Sequence, residues 1–405
     1  MFTILGSIIA FLIVFGLLIL IHECGHFLAA KFFNVKVEEF GIGLPPKAMR
    51  LWKKGETEYT LNWLPLGGFV RLYGESDPTG KLKKDPRSFA AQKVWKRIII
   101  AGAGVFMNFV LAYVLLVIAF SLGMKPLSIL PDDSIPFSSK ESYIITSLSF
   151  AEKNHIITRN PDFVAEEVVL KDVSKDSQAE KAGFTKGDSL LKINDSTWKD
   201  FPEFYSKVKA IKTTEVTAFL VKQTNGKEKT ITITKAEGPF GFQFKQTDPY
   251  VSSITNKPMT SMDDIPTYKI PLLDVPLLAG KELFTITSYT FEGVGTLVSS
   301  IVQKFAIPKD IGGPVQIAEV VHNVNVQAGI PALILLMIIL SINLGVINIL
   351  PIPALDGGRI LFMLIELCGK RISEKLETKV HFIGYGLLLV LLLVITAHDI
   401  LRIFS

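Results

Sequence analysis

The chain has 405 residues, of which 49% are hydrophobic and 20% charged, and its mean hydropathy is +0.38. A single soluble domain of this length would be less apolar, so the composition indicates membrane-spanning segments. The net charge of +5 does not indicate a nucleic-acid-binding surface, and neither nucleic acid nor a nucleotide is expected as a partner. Both cysteines, Cys24 and Cys368, lie in or beside apolar runs, so no disulfide framework is expected.

The first apolar run covers residues 1–33 and contains the sequence LILIHECGHFLAA. It is long enough to cross a hydrocarbon core about 30 Å thick. No basic segment precedes the run, and no small-residue cleavage pattern follows it. We therefore interpret it as a membrane span rather than a cleaved signal peptide.

The sequence HECGH in this run has the spacing HExxH. On a helix, His22 and His26 lie one turn apart on one face, where both rings can bind one Zn²⁺. Glu23 lies beside them as a candidate base for a water molecule activated by the metal. The alternative interpretation is that the two histidines only pack against other helices and that Glu23 pairs with a lysine. The cost of ionisable groups in a bilayer favours a functional site.

A basic loop at 34–97 follows, with about 14 Lys and Arg residues counted from Lys31 to Arg97. Within it, the alternating sequence YTLNWLPLGGFVRLYG predicts a β-hairpin around Pro65, Gly67 and Gly68. Its apolar character favours a hairpin that dips towards the membrane over an ordinary surface hairpin. A second span is expected at 98–124.

The segment from 125 to 329 contains a compact domain at 163–245. A short helix at 179–182, a Gly turn and a strand are expected, followed by a hairpin with an Asn-Gly turn at Asn225–Gly226. No structure is assigned to 125–162. Residues 246–329 contain a Pro-rich linker and then an aromatic, amphipathic stretch. That stretch is expected either as a helix on the outer membrane surface or as one packed on the outer domain.

The third and fourth spans are expected at 330–358 and 381–401, separated by a short loop at 359–380 that also carries basic residues. The positive-inside rule places both basic loops in the cytoplasm. The two termini and the region between the second and third spans are then extracytoplasmic. The protein is therefore expected to be a multi-pass membrane protein.

A catalytic zinc needs a third protein ligand, which we expect from another span. His322, His381, His398, Asp399 and Glu366 are candidates, but Asp356 is favoured because topology places it at the same depth as HECGH. Irregular backbone around Pro351 and Pro353 is tolerated there if it lines a cavity. Asn343 and Asn348 in the same segment either hydrogen-bond across helices or hold a substrate carbonyl.

The ordered set HECGH, LPLGGFV, GAGVFMN and NLGVINILPIPALDGGRI resembles the bacterial site-2 protease family of intramembrane zinc metalloproteases, of the RseP and RasP type. The segment SQAEKAGFTKGDSLLKIND resembles a PDZ domain of that family. The resemblance covers nearly the whole chain. The expected fold is a polytopic α-helical membrane protein with about four transmembrane helices, a membrane-associated β-hairpin and an inserted extracytoplasmic PDZ-like α+β domain.

The resemblance implies His22, His26 and Asp356 as ligands of one Zn²⁺ per chain, with Glu23 as the catalytic glutamate. It also implies Asn348 and Asn343 as substrate contacts, and a substrate-pairing β-element at Gly67, Gly68 and Phe69.

The expected activity is regulated intramembrane proteolysis. The implied partners are membrane lipid and single-span membrane proteins, such as anti-sigma factors, or remnant signal peptides. One alternative is a membrane scaffold without enzymatic activity, whose PDZ-like domain binds a C-terminal tail. A second is an ion or proton transporter that uses the same polar residues as a relay.

Overall fold

The computed structural model describes residues 2–75, 81–130, 141–154, 156–159, 168–175, 177–198, 201–238, 240–244, 250–252, 267, 270–304, 313–327, 329–369 and 372–404. The chain divides into two compact units. The first comprises residues 1–124, 136–142 and 269–405, and the second comprises 125–135 and 143–268. The amphipathic segment near residue 277 therefore belongs to the first unit.

The long apolar helices occur in the order that the sequence predicted. Those of the described residues are α1 (Phe2–Phe32), α2 (Val94–Leu122), α3 (Leu148–Lys153), α4 (Gln178–Ala182), α5 (Phe201–Ala210), α6 (Val275–Lys304), α7 (Pro314–Gln327), α8 (Gly329–Ile349), α9 (Asp356–Leu367) and α10 (Glu374–Phe404).

Four of these helices contain segments long and apolar enough to cross a membrane, which makes this an integral membrane protein with four candidate spans. The segments are Ile9–Phe32, Val94–Leu122, Gly329–Ile349 and Lys375–Ala397. Many of their large apolar side chains are exposed, as expected for helices whose outer faces contact lipid rather than water.

The strands lie in both units. In chain order they are β1 (Val37–Lys54), β2 (Thr57–Leu72), β3 (Ser128–Leu130), β4 (Ile145–Ser147), β5 (Ile157–Arg159), β6 (Val168–Val173), β7 (Ser189–Ile193), β8 (Val216–Lys222), β9 (Glu228–Thr234), β10 (Phe242–Phe244) and β11 (Tyr250–Ser252).

The β-element of the first unit is more elaborate than the predicted hairpin. It contains a tight turn at Gly55, which lets residues 57–62 pair with 47–54. Residues 58–61 also pair with 39–42 in the same direction, and residues 68–72 return to pair with 37–42 in the opposite direction. Phe40 therefore lies between Tyr59 and Val70. The chain therefore reverses around Gly67, which has a φ of +117°, as predicted. The two segments that this turn joins do not pair with each other, because residues 37–42 lie between them, and local turn residues do not reveal this. Gly67, Gly68 and Phe69 belong to β2.

One face of this β-element is apolar along its length. Phe40 and Tyr59 pack with Phe27 of α1, and Trp52 stacks on Tyr59 with ring centroids 4.9 Å apart. Farther along the strands, the Trp63 side chain is 71% exposed. An apolar face that continues outward from a membrane helix is what a membrane-dipping element requires.

The amphipathic segment forms α6, which packs against α2 and α8. The hydroxyl of Tyr113 donates to the backbone oxygen of Pro276 (3.3 Å), and the hydroxyl of Thr290 donates to Asn343 Oδ1 (2.8 Å). This helix therefore contacts two of the candidate spans through polar as well as apolar side chains.

The second unit contains a five-stranded sheet in the order β10-β6-β7-β8-β9, and the pairs β3-β4 and β5-β11. The helix expected at 179–182 is confirmed as α4, and the Asn-Gly hairpin turn is confirmed between β8 and β9. The core is rich in aromatic side chains, with Phe184 and Phe219 in edge-to-face contact at 5.6 Å. Such a core can stabilise a domain without disulfides.

Candidate metal centre

The two histidines of HExxH lie where α1 and α2 approach closely. A Cβ atom at Gly25 would collide with the backbone oxygen of Ala103, and one at Gly104 would collide with the His26 ring. Small residues at a helix crossing allow such backbone approach within a membrane. His22 is consequently only 6% exposed and is packed against α2.

Asp356 reaches the same place from a separate helix. The third span ends at Ile349, and residues 350–355 are not helical, as Pro351 and Pro353 predicted. A Cβ atom at Gly357 would collide with the backbone oxygen of Ile349, so α9 begins directly against the end of α8. The two elements together hold Asp356 beside His22 and His26.

The loop before Asp356 is supported from α10. Ala354 has a φ of +82°, a conformation that costs a non-glycine residue about 1–3 kcal/mol unless its surroundings impose it. The backbone N–H of Ala354 donates to His381 Nδ1 at 2.9 Å. His381, a candidate third ligand from the sequence, therefore supports the loop that carries Asp356.

Three acceptor atoms converge in this space. His22 Nε2 lies 3.2 Å from His26 Nε2, and Asp356 Oδ2 lies 3.1 Å from the first and 3.4 Å from the second. Ligands that bind one tetrahedral zinc at about 2.0–2.1 Å lie about 3.3–3.4 Å from one another. The separations in this cluster therefore fit three ligands of a single zinc ion.

The hydrogen bonds of the cluster favour a cation. His26 Nδ1 lies 2.8 Å from the backbone oxygen of Ile100, which can only accept, so Nδ1 carries the proton. In the neutral ring, Nε2 is then a bare acceptor facing the cluster. Asp356 Oδ2 is buried and has no donor in hydrogen-bonding geometry among the described residues. A bound cation satisfies all these lone pairs at once.

His22 has a buried partner that the sequence reasoning missed. Its Nδ1 lies 3.1 Å from the side-chain amide of Asn108, which is fully buried, while Asn108 Oδ1 has no hydrogen-bond partner among the residues that the structure describes. Amide orientation is assigned from the hydrogen-bond network. Turning the amide by 180° lets Oδ1 accept from His22 Nδ1, which directs Nε2 at the metal. The signal available in the sequence was a lone Asn inside an apolar span.

Glu23 lies in the wall of a cavity of about 220 Å³ that also contains the three candidate ligands. Phe69 and Val70 of β2 form part of the same wall. A Cβ atom at Gly68 would lie 3.3 Å from Glu23 Cγ, so residues 68–70 run directly past the glutamate. Of the predicted β-residues, Gly68 and Phe69 are therefore at the site. Gly67 packs against Leu44.

The two asparagines of α8 differ in their surroundings. Asn343 accepts from Thr290 of α6, which is the interhelical hydrogen bond that the sequence left open. Asn348 is half-buried, and its side chain has no hydrogen-bond partner within the part of the chain that the structure describes. Its amide is thus available for another molecule.

Two other candidate ligands are engaged elsewhere. Glu366 forms an ion pair with Arg97 at 2.6 Å. Asp399 is buried and accepts from the backbone N–H of Gln316 at the start of α7 (3.1 Å). His322 is not part of the cluster of candidate ligands found among the described residues. The side chain of His398 lies outside the described residues.

Known proteins resemble this chain over nearly its whole length. The model of peptidase family M50 matches residues 10–391. A protein named zinc metalloprotease RasP from Geobacillus kaustophilus is 29% identical, with 99% of each chain covered. A candidate zinc metalloprotease of Clostridium acetobutylicum is 31% identical over 97% of each chain. The protein named regulator of sigma-W protease RasP from Bacillus subtilis is 28% identical, covering 98% of this chain and 99% of that one.

The match spans both the HExxH segment and the segment that carries Asp356. The family and the names of these relatives agree with the predicted zinc metalloprotease. The chain belongs to peptidase family M50 and is a membrane-bound zinc metalloprotease.

Proposed function

We propose that the chain hydrolyses peptide bonds of membrane-embedded segments, with His22, His26 and Asp356 as ligands of one zinc ion per chain. The observation that carries the proposal is the cluster of three acceptor atoms, whose distances from one another fit three ligands of one zinc ion. Glu23 lies in the same cavity, and two of the ligands come from a helix long enough to span the membrane.

Glu23 is the proposed general base. A bound zinc ion supplies Lewis-acid polarisation of the scissile carbonyl and makes water acidic near neutral pH. The Glu23 carboxylate takes the proton of the attacking water and returns it to the leaving amine. The Asn108 amide and the Ile100 carbonyl hold the two imidazole rings in the orientation that this requires.

The substrate is proposed to bind as an extended strand beside β2. A transmembrane helix has its amides bonded internally, so it must unwind before hydrolysis. Residues 68–70 run past Glu23, and an extended segment that pairs with this strand would have a peptide bond at the cavity. Phe69 would contact a substrate side chain, and the free Asn348 amide would hold a substrate carbonyl, with Asn343 in a lesser role.

The proposed substrates are single-span membrane proteins, such as anti-sigma factors, or remnant signal peptides. A relative is named regulator of sigma-W protease, which suits this class. We propose that the domain at 163–245 is PDZ-like and selects or excludes substrates outside the membrane. The proposed location is the bacterial cytoplasmic membrane, with the second unit and both termini extracytoplasmic and the segments 34–97 and 359–380 cytoplasmic.

The proposal is tested by separating zinc binding from cleavage. Purified wild-type protein should contain one zinc per chain and cleave a single-span test substrate. Glu23→Gln should keep the zinc and lose cleavage, because the amide cannot accept the proton of water. Asp356→Ala should lose both. Full cleavage by Glu23→Gln, or unchanged zinc in Asp356→Ala, would exclude these roles. The scaffold alternative predicts no zinc in any variant.

A further inference from the structure

An ion pair outside the candidate ligand set forms part of the cavity wall. Arg359 of α9 pairs with Glu75, which follows the end of β2. Both side chains line the cavity that contains Glu23 and Asp356. Arg359 is the one Lys or Arg among the described residues of this wall. The Arg359 side chain is 46% exposed and that of Glu75 is 20% exposed, so the pair lies between the cavity and the surface.

Each partner is fixed to an element of the site. Arg359 follows Asp356 by one helical turn, so α9 carries both a candidate ligand and the guanidinium. Glu75 follows a turn whose Tyr73 is held on both sides. The backbone N–H of Tyr73 donates to the backbone oxygen of Lys36, and the backbone oxygen of Tyr73 accepts from the backbone N–H of Phe89. The ion pair therefore connects the end of β2 to the helix that begins at Asp356.

Two nearby carboxylates favour the charged form of the Arg359 guanidinium. The carboxylates of Glu75 and Asp356 both raise the pKa of the guanidinium, with Glu75 the larger contributor. A guanidinium released from Glu75 would be drawn towards the Asp356 carboxylate, one turn away.

We propose that the Glu75–Arg359 ion pair closes the catalytic cavity on its water-exposed side. By tying β2 to α9, the pair limits the access of water-soluble molecules to the ligand cluster. When the pair opens, the end of β2 can separate from α9. The inference rests on the proposed function, since it takes this cavity to be the catalytic one. It adds an access role for two residues outside the ligand set.

The experiment measures access with a thiol reporter rather than cleavage. Ala101 lies in the cavity wall and is 6% exposed. The full-length chain would carry Ala101→Cys and Cys24→Ser, leaving Cys368, which is exposed, as an internal reference. Iodoacetamide is small and uncharged, so changes of protein charge do not bias its approach. Mass spectrometry gives the alkylation rate at each thiol of the purified protein.

Glu75→Gln and Arg359→Gln should each raise the alkylation rate at residue 101 about twofold to fivefold, as expected from losing one partly exposed ion pair. The rate at Cys368 should not change. The exchange variant Glu75→Arg/Arg359→Glu should restore the slow rate, because it rebuilds the pair with reversed charges. The two single variants break the bond from different elements, so misfolding of one leaves the other as the test.

Arg87→Gln is the matched control. It breaks the exposed Arg87–Glu56 pair (2.7 Å), whose residues do not line the cavity, and should leave the rate at residue 101 unchanged. The proposal is overturned if both single variants react at the wild-type rate, if Arg87→Gln accelerates alkylation equally, or if the exchange variant stays fast. Failure of the proteolytic function would appear separately in zinc content and cleavage.

Discussion

Asn108 offers a sharp test of how the metal centre is oriented. Its amide lies 3.1 Å from His22 Nδ1 in a fully buried position. Asn108→Leu removes the acceptor and leaves a buried N–H unpaired, a penalty of about 1–3 kcal/mol. That penalty corresponds to a loss of zinc affinity of about fivefold to 150-fold, which agrees with the roughly 10- to 100-fold effect of removing such outer partners of metal ligands.

The assay is zinc competition against a chelator of known affinity, using purified protein in detergent. Asn108→Asp should bind zinc at least as tightly as Asn108→Leu, because a carboxylate accepts from His22 Nδ1. Asn343→Leu is the matched control. It removes another interhelical asparagine, bonded to Thr290, that does not touch the histidines. Wild-type zinc affinity in Asn108→Leu, or an equal loss in Asn343→Leu, would refute the reasoning.

Three further variants test other parts of the account. Gly68→Val places a branched side chain against Glu23 Cγ and the oxygen of Gly41, so cleavage should fall at least tenfold (an estimate of about 1.4 kcal/mol) while zinc content stays constant. Asn348→Ala should raise KM severalfold with unchanged zinc, whereas Asn343→Ala should mainly lower Tm; the reverse pattern would contradict their assigned surroundings. Phe219→Ala opens the core of the second unit and should cost about 3–5 kcal/mol in denaturant unfolding, without changing zinc content in the full chain.

The cluster of candidate zinc ligands was the most predictable part of the molecule. HExxH spacing on a helix places two imidazoles on one face, and the direction of the spans places Asp356 at the same depth. The structure brings one nitrogen of each histidine and one oxygen of Asp356 to within 3.4 Å of one another. Both arguments depend on local periodicity and on membrane topology, which a sequence carries directly.

The β-element shows where such reasoning stops. Gly67 and Gly68 lie at a chain reversal, as their composition predicts, but the segment that follows pairs with residues 37–42 rather than with residues 57–62. The glycine at position 68 reflects the close passage of Glu23, which is a tertiary contact. Strand pairing between segments about 30 residues apart leaves no local signature, so register was not predictable here.

Side-chain contacts between residues far apart in the chain could not be predicted from the sequence either. Asn108 and His22 are 86 residues apart, and Glu75 and Arg359 are 284 apart. The sequence offered both Asn348 and Asn343 as substrate contacts, with Asn348 preferred, but it did not reveal that Thr290 of α6 occupies Asn343. Which polar side chain receives a partner depends on helix packing, and no periodicity in the chain encodes it.

The central claim, hydrolysis of a peptide bond inside the membrane, is tested most directly by locating the bond that is cut. A single-span substrate would be incubated with the zinc-loaded protein in proteoliposomes, and both fragments identified by mass spectrometry. The account predicts a cut within the hydrophobic segment, absent with Glu23→Gln. A cut confined to residues outside that segment, or one that persists with Glu23→Gln, would contradict it.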